Sequence, residues 1–162
     1  MSVRERFFRK VQQQQSIPVS GGGPVEADIH AFCLRMDELA QEVYGWFDGS
    51  GIDVVIGVRP LSDLSTIGYS LNSGASRYDI TTIRLQNGIR RADIIPEQLY
   101  RNGAKGCVTM TLDTPDRYPV RQRFYLTMAP EGGWYLRREH QAVASKSIMT
   151  EDVFFRAVDN LA

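Results

Sequence analysis

The chain changes its hydrophobic period once, and that change limits the folds open to it. Over residues 24 to 48 apolar side chains return every three or four positions, whereas from residue 78 onward they alternate. The first pattern gathers Ile29, Phe32, Met36, Leu39, Ala40, Val43, Trp46 and Phe47 on one side of a helix. Gly23, Pro24 and Glu26 fall at its cap, first and third positions, and Gly49 and Gly51 end it. A long helix with one apolar stripe needs a surface to lie on. Alternating strands, apolar on one face only, supply that surface.

The run Val54 to Val58 reads as a strand buried on both sides and stopped by Pro60. Ile83 and Leu85, then Asn87 and Gly88, then Ile89 to Ile95 spell a hairpin. Pro96 to Asn102 reads as a short helical or irregular connection. Strands are predicted at about 106 to 113, 119 to 129 and 134 to 141, with turns at Pro115 and Asp116 and at Glu131, Gly132 and Gly133. Thr150 caps a last helix, Glu151 and Asp152 favour its positive end, and Phe154, Ala157, Val158 and Leu161 form its stripe.

These elements predict an α+β fold in which N-terminal helices, the long one at about 24–48, pack on a curved antiparallel sheet of five to six strands with a C-terminal helix. A length of 162 residues suits one core, so 1–162 is expected to be a single domain, with 24–162 as its α+β core. Residues 2 to 14 read as a basic amphipathic helix, with Val3, Phe7, Phe8 and Val11 on one face. Gln12 to Gln15, Pro18 and Gly21 to Gly23 suit a flexible connection, so 1–23 is a helix plus a linker. By element order, a long helix across a curved antiparallel sheet resembles the NTF2-like cone. That resemblance implies a pocket between helix and sheet.

Nineteen basic and nineteen acidic residues cancel, so no global field holds the chain on a nucleic acid or an anionic membrane. Locally the balance splits: residues 77 to 138 hold eleven basic and six acidic residues, and residues 26 to 63 hold two basic and eight acidic. Cys33 and Cys107 have no zinc-like partners and predict neither a disulfide framework nor a metal site. No apolar run reaches the roughly 18 to 20 residues of a membrane span, and no signal segment opens the sequence, so the expected location is cytoplasmic.

Strand parity carries the functional expectations. If Val120, Phe124, Leu126 and Met128 face the core together with Val108, Met110 and Leu112, the other face presents Thr109, Thr111, Arg121, Arg123, Tyr125, Thr127, Tyr135 and Arg137. Tyr and Arg are the types enriched at protein interfaces. Phe155 falls off the stripe of the last helix and adds exposed aromatic area. The leading reading is therefore a small non-enzymatic binding or adaptor protein that holds a protein partner or a second copy of itself.

The alternative is a pocket protein of the NTF2-like kind that binds a small molecule or moves a proton, as an isomerase or hydratase does. Gln122, Arg138 and His140 fall in the inward register, and His30, Asp37, Gln41 and Tyr44 form a row on one flank of the long helix. Nucleic-acid binding on the Arg and Tyr face ranks third. His30, Cys33 and Asp37 offer part of a metal set, but no fourth ligand can be assigned. Gly21 to Gly23 lack the lysine and hydroxyl residue of a phosphate loop, so no cofactor is expected.

Overall fold

The computed structural model describes residues 3–6, 23–69 and 74–162. Residues 3–6 are helical and exposed. The rest of the helix expected over 2 to 14, and the connection up to residue 22, lie outside the described residues. Helix α1 spans Gly23–Trp46. Its stripe is the core face that the period predicts: Phe32, Met36 and Val43 are fully buried, Leu39, Ala40 and Phe47 nearly so, and Ile29 and Trp46 pack against the same cluster. Each large side chain removed from water in this way contributes about 1.5–3 kcal/mol.

The sheet has seven strands rather than five or six: β1 Asp53–Asp63, β2 Ser76–Asn87, β3 Arg90–Arg101, β4 Ala104–Asp113, β5 Arg121–Met128, β6 Trp134–Arg138 and β7 Ser147–Ile148. Each pairs antiparallel with the next in chain order, giving one open, curved meander. Helix α1 lies chiefly on β2. Helix α2, Glu151–Ala157, closes the far end, with the Thr150 side chain accepting from the Val153 N–H at 3.2 Å. The α+β class is as predicted. Among the described residues, no helix is long and apolar enough to cross a membrane.

Four local expectations are corrected. The run Val54 to Val58 lies in the edge strand β1, where Val55, Ile56 and Val58 are exposed, and Pro60 continues the strand instead of stopping it. An edge strand tolerates proline because its missing N–H can face away from the neighbour. Pro96 to Asn102 is not a helical or irregular connection: β3 runs through Arg101, and a bulge between Pro96 and Gln98 breaks its alternation. Val120 precedes β5 and is 53% exposed, so it leaves the core face that Phe124 and Leu126 occupy. The β2–β3 loop is Gly88 and Ile89, with Gly88 at φ +64°, a value glycine adopts readily. Asn87 stays in the strand, and its amide holds the Leu161 carbonyl at 2.8 Å.

Pairing of β2 with β3 stops at Ile83 and Ile94, so the β1–β2 ribbon splays away from β3. A 3-10 turn at Leu64–Thr66 fills the opening, capped at its start by Asp63, the last residue of β1. The Asp63 carboxylate is buried and accepts from the Ser65 N–H at 3.0 Å, the Ser65 hydroxyl at 2.5 Å, the Tyr78 hydroxyl at 2.5 Å and the Leu99 N–H at 2.8 Å. A buried carboxylate with this many donors is satisfied without a cation. It fixes β3 where the strand leaves β2, and so sets the position of Arg101 at its end.

Candidate functional site

The face of the sheet opposite α1 is built by cross-strand pairs. Ile95, Thr109, Tyr125 and Arg137 stand side by side across β3 to β6, and Thr127 stands opposite Tyr135. Directly opposed residues on one face are close enough to stack. The Arg137 guanidinium lies 4.6 Å from the Tyr125 ring centre, and that of Arg101 lies 6.0 Å away over the same ring. After β6 the chain turns at Glu139 to Gln141, forms a 3-10 turn at Val143–Ser145, and returns beside β6 as β7. This return puts the Lys146 ammonium 4.5 Å over the Tyr135 ring. The turn is held by the Arg137 guanidinium donating to the Gln141 carbonyl at 3.0 Å and the Arg138 N–H donating to the Gln141 side chain at 2.9 Å.

A cleft of about 100 Å³ results, with Tyr125, Tyr135, Thr109 and Thr127 as walls, Val143 at the rim and Cys107 in the floor. Typical small-molecule sites hold roughly 300–1,000 Å³, so this one suits a side chain or a single anionic group. Its lining carries three cations, Arg101, Arg137 and Lys146, against one carboxylate, Glu97. Burial pushes the Cys107 thiol up to about 11, ahead of the opposing pull of Arg101. The thiol therefore stays protonated at neutral pH and is a poor nucleophile.

Charge divides this face in two. Toward the Asp113 end each arginine has a carboxylate: Arg121 with Asp113 at 2.8 Å, Arg123 with Glu139 at 3.5 Å, Arg91 with Asp93 at 3.0 Å and Arg84 with Asp93 at 2.7 Å. Around the cleft, Arg101, Arg137 and Lys146 form no ion pair among the described residues. The interface candidates thus separate. Tyr125, Tyr135 and Arg137 meet in the cleft, while Arg121 and Arg123 lie in the self-neutralised part. Sequence reasoning missed Glu97, Arg101, Val143 and Lys146. The first two lie in the segment read as a connection, and the last two in and just after the 3-10 turn that leads into β7, too short a stretch to show a period.

The pocket candidates do not converge. Gln122, Arg138 and His140 share an open groove with Tyr118 and Phe124, but Arg138 and His140 are exposed rather than inward. The reason is that β6 ends at Arg138, and its guanidinium lies 5.7 Å over the Phe124 ring at the rim of the core. The row on α1 faces the other way, toward β2, where Asp37 accepts from the Thr81 hydroxyl. His30, Gln41 and Tyr44 on that flank are exposed, and none of them lines the groove that holds His140. Cys33 donates instead to the Asp79 carbonyl at 3.6 Å. Phe155, 36% exposed, stacks on Phe47 at 5.0 Å and Trp46 at 6.4 Å, stitching α2 to the end of α1. Its suggested companions Phe7 and Phe8 lie outside the described residues. Compared with family models, with curated proteins and with solved structures, the chain shows no significant match.

Proposed function

We propose that this chain is a non-enzymatic binding module that holds an acidic segment of a partner protein in the cleft on its outer sheet face. The observation that carries the reading is the set of three cations, Arg101, Arg137 and Lys146, stacked on Tyr125 and Tyr135 without an ion-pair partner among the described residues. Toward the Asp113 end of the same face, Arg84, Arg91, Arg121 and Arg123 are neutralised within the chain. Here the cationic charge is left for something outside it. The stacking holds each cation in place before a ligand arrives, which lowers the ordering cost of binding. The size of the cleft fits one carboxylate side chain at a time, so affinity would accumulate along a peptide instead of coming from one deep pocket.

The test is fluorescence anisotropy with a labelled glutamate-rich peptide at low salt, on the wild type and on the double variant R101E/R137E. Loss of two charge-assisted contacts is expected to weaken binding about 30-fold or more. Affinity should also fall as salt rises. Binding that ignores the double variant would overturn the reading. So would a single-stranded oligouridylate that binds more tightly than the peptide, since the stacked tyrosines would then be serving bases.

A further inference from the structure

β1 is the open edge of the sheet, with β2 as its neighbouring strand among the described residues. It is 11 residues long and pairs with β2 without a break in register, whereas β7 at the opposite edge has two residues. A long, unbroken edge presents a row of free N–H and C=O groups that another strand can take up. Natural edges are blunted by charge, bulges or proline. Over Val54 to Val58 β1 has none of these, and Val55, Ile56 and Val58 are exposed. Pro60 fits an edge strand with its nitrogen turned away from β2. Backbone direction alternates along a strand, so Val54, Ile56 and Val58 direct their own N–H and C=O groups to that same free side.

We infer that β1 pairs antiparallel with β1 of a second copy about a twofold axis through Ile56, joining two sheets into one. Charge selects this register. It sets Asp53 opposite Arg59 of the second copy, and the symmetry repeats the pair with the roles exchanged. Val54 then meets Val58, Ile56 meets Ile56, and Pro60 falls beyond the charged ends. Axes through Val55 or Gly57 would instead put Arg59 opposite Gly51 or Val55 and lose both pairs. Asp53 and Arg59 are exposed and form no ion pair among the described residues.

The helix side of the seam is compatible. Val54, Ile56 and Val58 pair with Leu85, Ile83 and Thr81 and so share the face on which α1 lies. Because α1 sits over β2, the helices of two joined copies would be three strand spacings apart, roughly 14 Å, against about 8–10 Å for helices in direct contact. Leu34 and Tyr44, exposed on the α1 flank that carries Asp37, are placed to fill that interval from both sides. The seam is separate from the outer cleft of β3 to β6, so this inference and the proposed function stand or fall independently.

Analytical ultracentrifugation of the full chain tests it, with circular dichroism to verify that each variant is folded. The wild type is expected to dimerise reversibly. D53R and R59E should each weaken the dimer about tenfold by setting like charges opposite each other twice, and D53R/R59E should recover affinity to within about threefold of wild type. As a second readout, I56C should form a disulfide across the axis on mild oxidation, since a hydrogen-bonded antiparallel pair holds its Cα atoms about 5.5 Å apart. L64C, beyond Pro60, should not. A wild type that stays monomeric up to hundreds of micromolar would overturn the inference. A dimer indifferent to both charge reversals, or one that D53R/R59E fails to restore, would do the same.

Discussion

Replacing Asp63 by alanine removes the acceptor at the point where the sheet splays. The carboxylate is 1% exposed, and four donor groups converge on it. Ser65 is partly exposed and can turn its hydroxyl to water. The Leu99 N–H, on a fully buried residue, has no such outlet, and the half-buried Tyr78 hydroxyl loses its acceptor as well. Leaving a buried donor without a partner costs about 1–3 kcal/mol, so D63A should lose about 3–5 kcal/mol in urea unfolding. For a domain of this size that is a fall in Tm of about 10 °C. D63N keeps the shape, but with one oxygen kept for Ser65 the new amide faces the Leu99 N–H, donor against donor. It should lose about 2–3 kcal/mol. Y78F leaves the carboxylate its remaining donors and should cost about 1 kcal/mol. The order D63A, then D63N, then Y78F is the signature of an acceptor hub. A D63A protein within about 1 kcal/mol of wild type, or a Y78F protein as unstable as D63A, would refute the reasoning.

Alkaline pH should destabilise the protein from about pH 9 upward. Burial raises the Cys107 thiol from 9.0 to about 11, and burial with hydrogen bonds to Asp63 and Asp28 raises the Tyr78 and Tyr100 hydroxyls above 10.0. The folded state therefore keeps protons that the unfolded chain releases, and stability present below pH 9 drains away as pH rises. Urea midpoints that stay flat from pH 8.5 to 11 would contradict this. T150A should lose about 1 kcal/mol by freeing the Val153 N–H at the start of α2, seen as a fall in Tm of about 2–4 °C.

Where one period ran unbroken, the sequence was sufficient. The α1 stripe and the parity of β4, β5 and β6 follow from side chains that repeat every three to four or every two residues, and Tyr125, Tyr135 and Arg137 were placed on the outer face by that parity alone. The misreadings have physical causes. An apolar run such as Val54 to Val58 looks the same whether two neighbours bury it or one leaves it at an edge. In β3, Ala92, Ile94 and Pro96 are buried at even positions and Leu99 at an odd one, because the bulge adds a residue. Local pattern reading takes such a flip for the end of a strand. The polar row on α1 was legible as a flank, but which strand that flank would face depends on where α1 sits across the sheet. That placement is tertiary.

The claim that the outer cleft is the binding surface can be mapped directly by NMR, titrating the glutamate-rich peptide into uniformly labelled protein and following backbone amides. Shifts should concentrate on Arg101, Thr109, Tyr125, Thr127, Tyr135 and Lys146, with little change along α1. Shifts gathered instead at Gln122, Arg138 and His140, or on the Asp37 and Tyr44 flank of α1, would contradict it and move the site to the opposite face of the sheet.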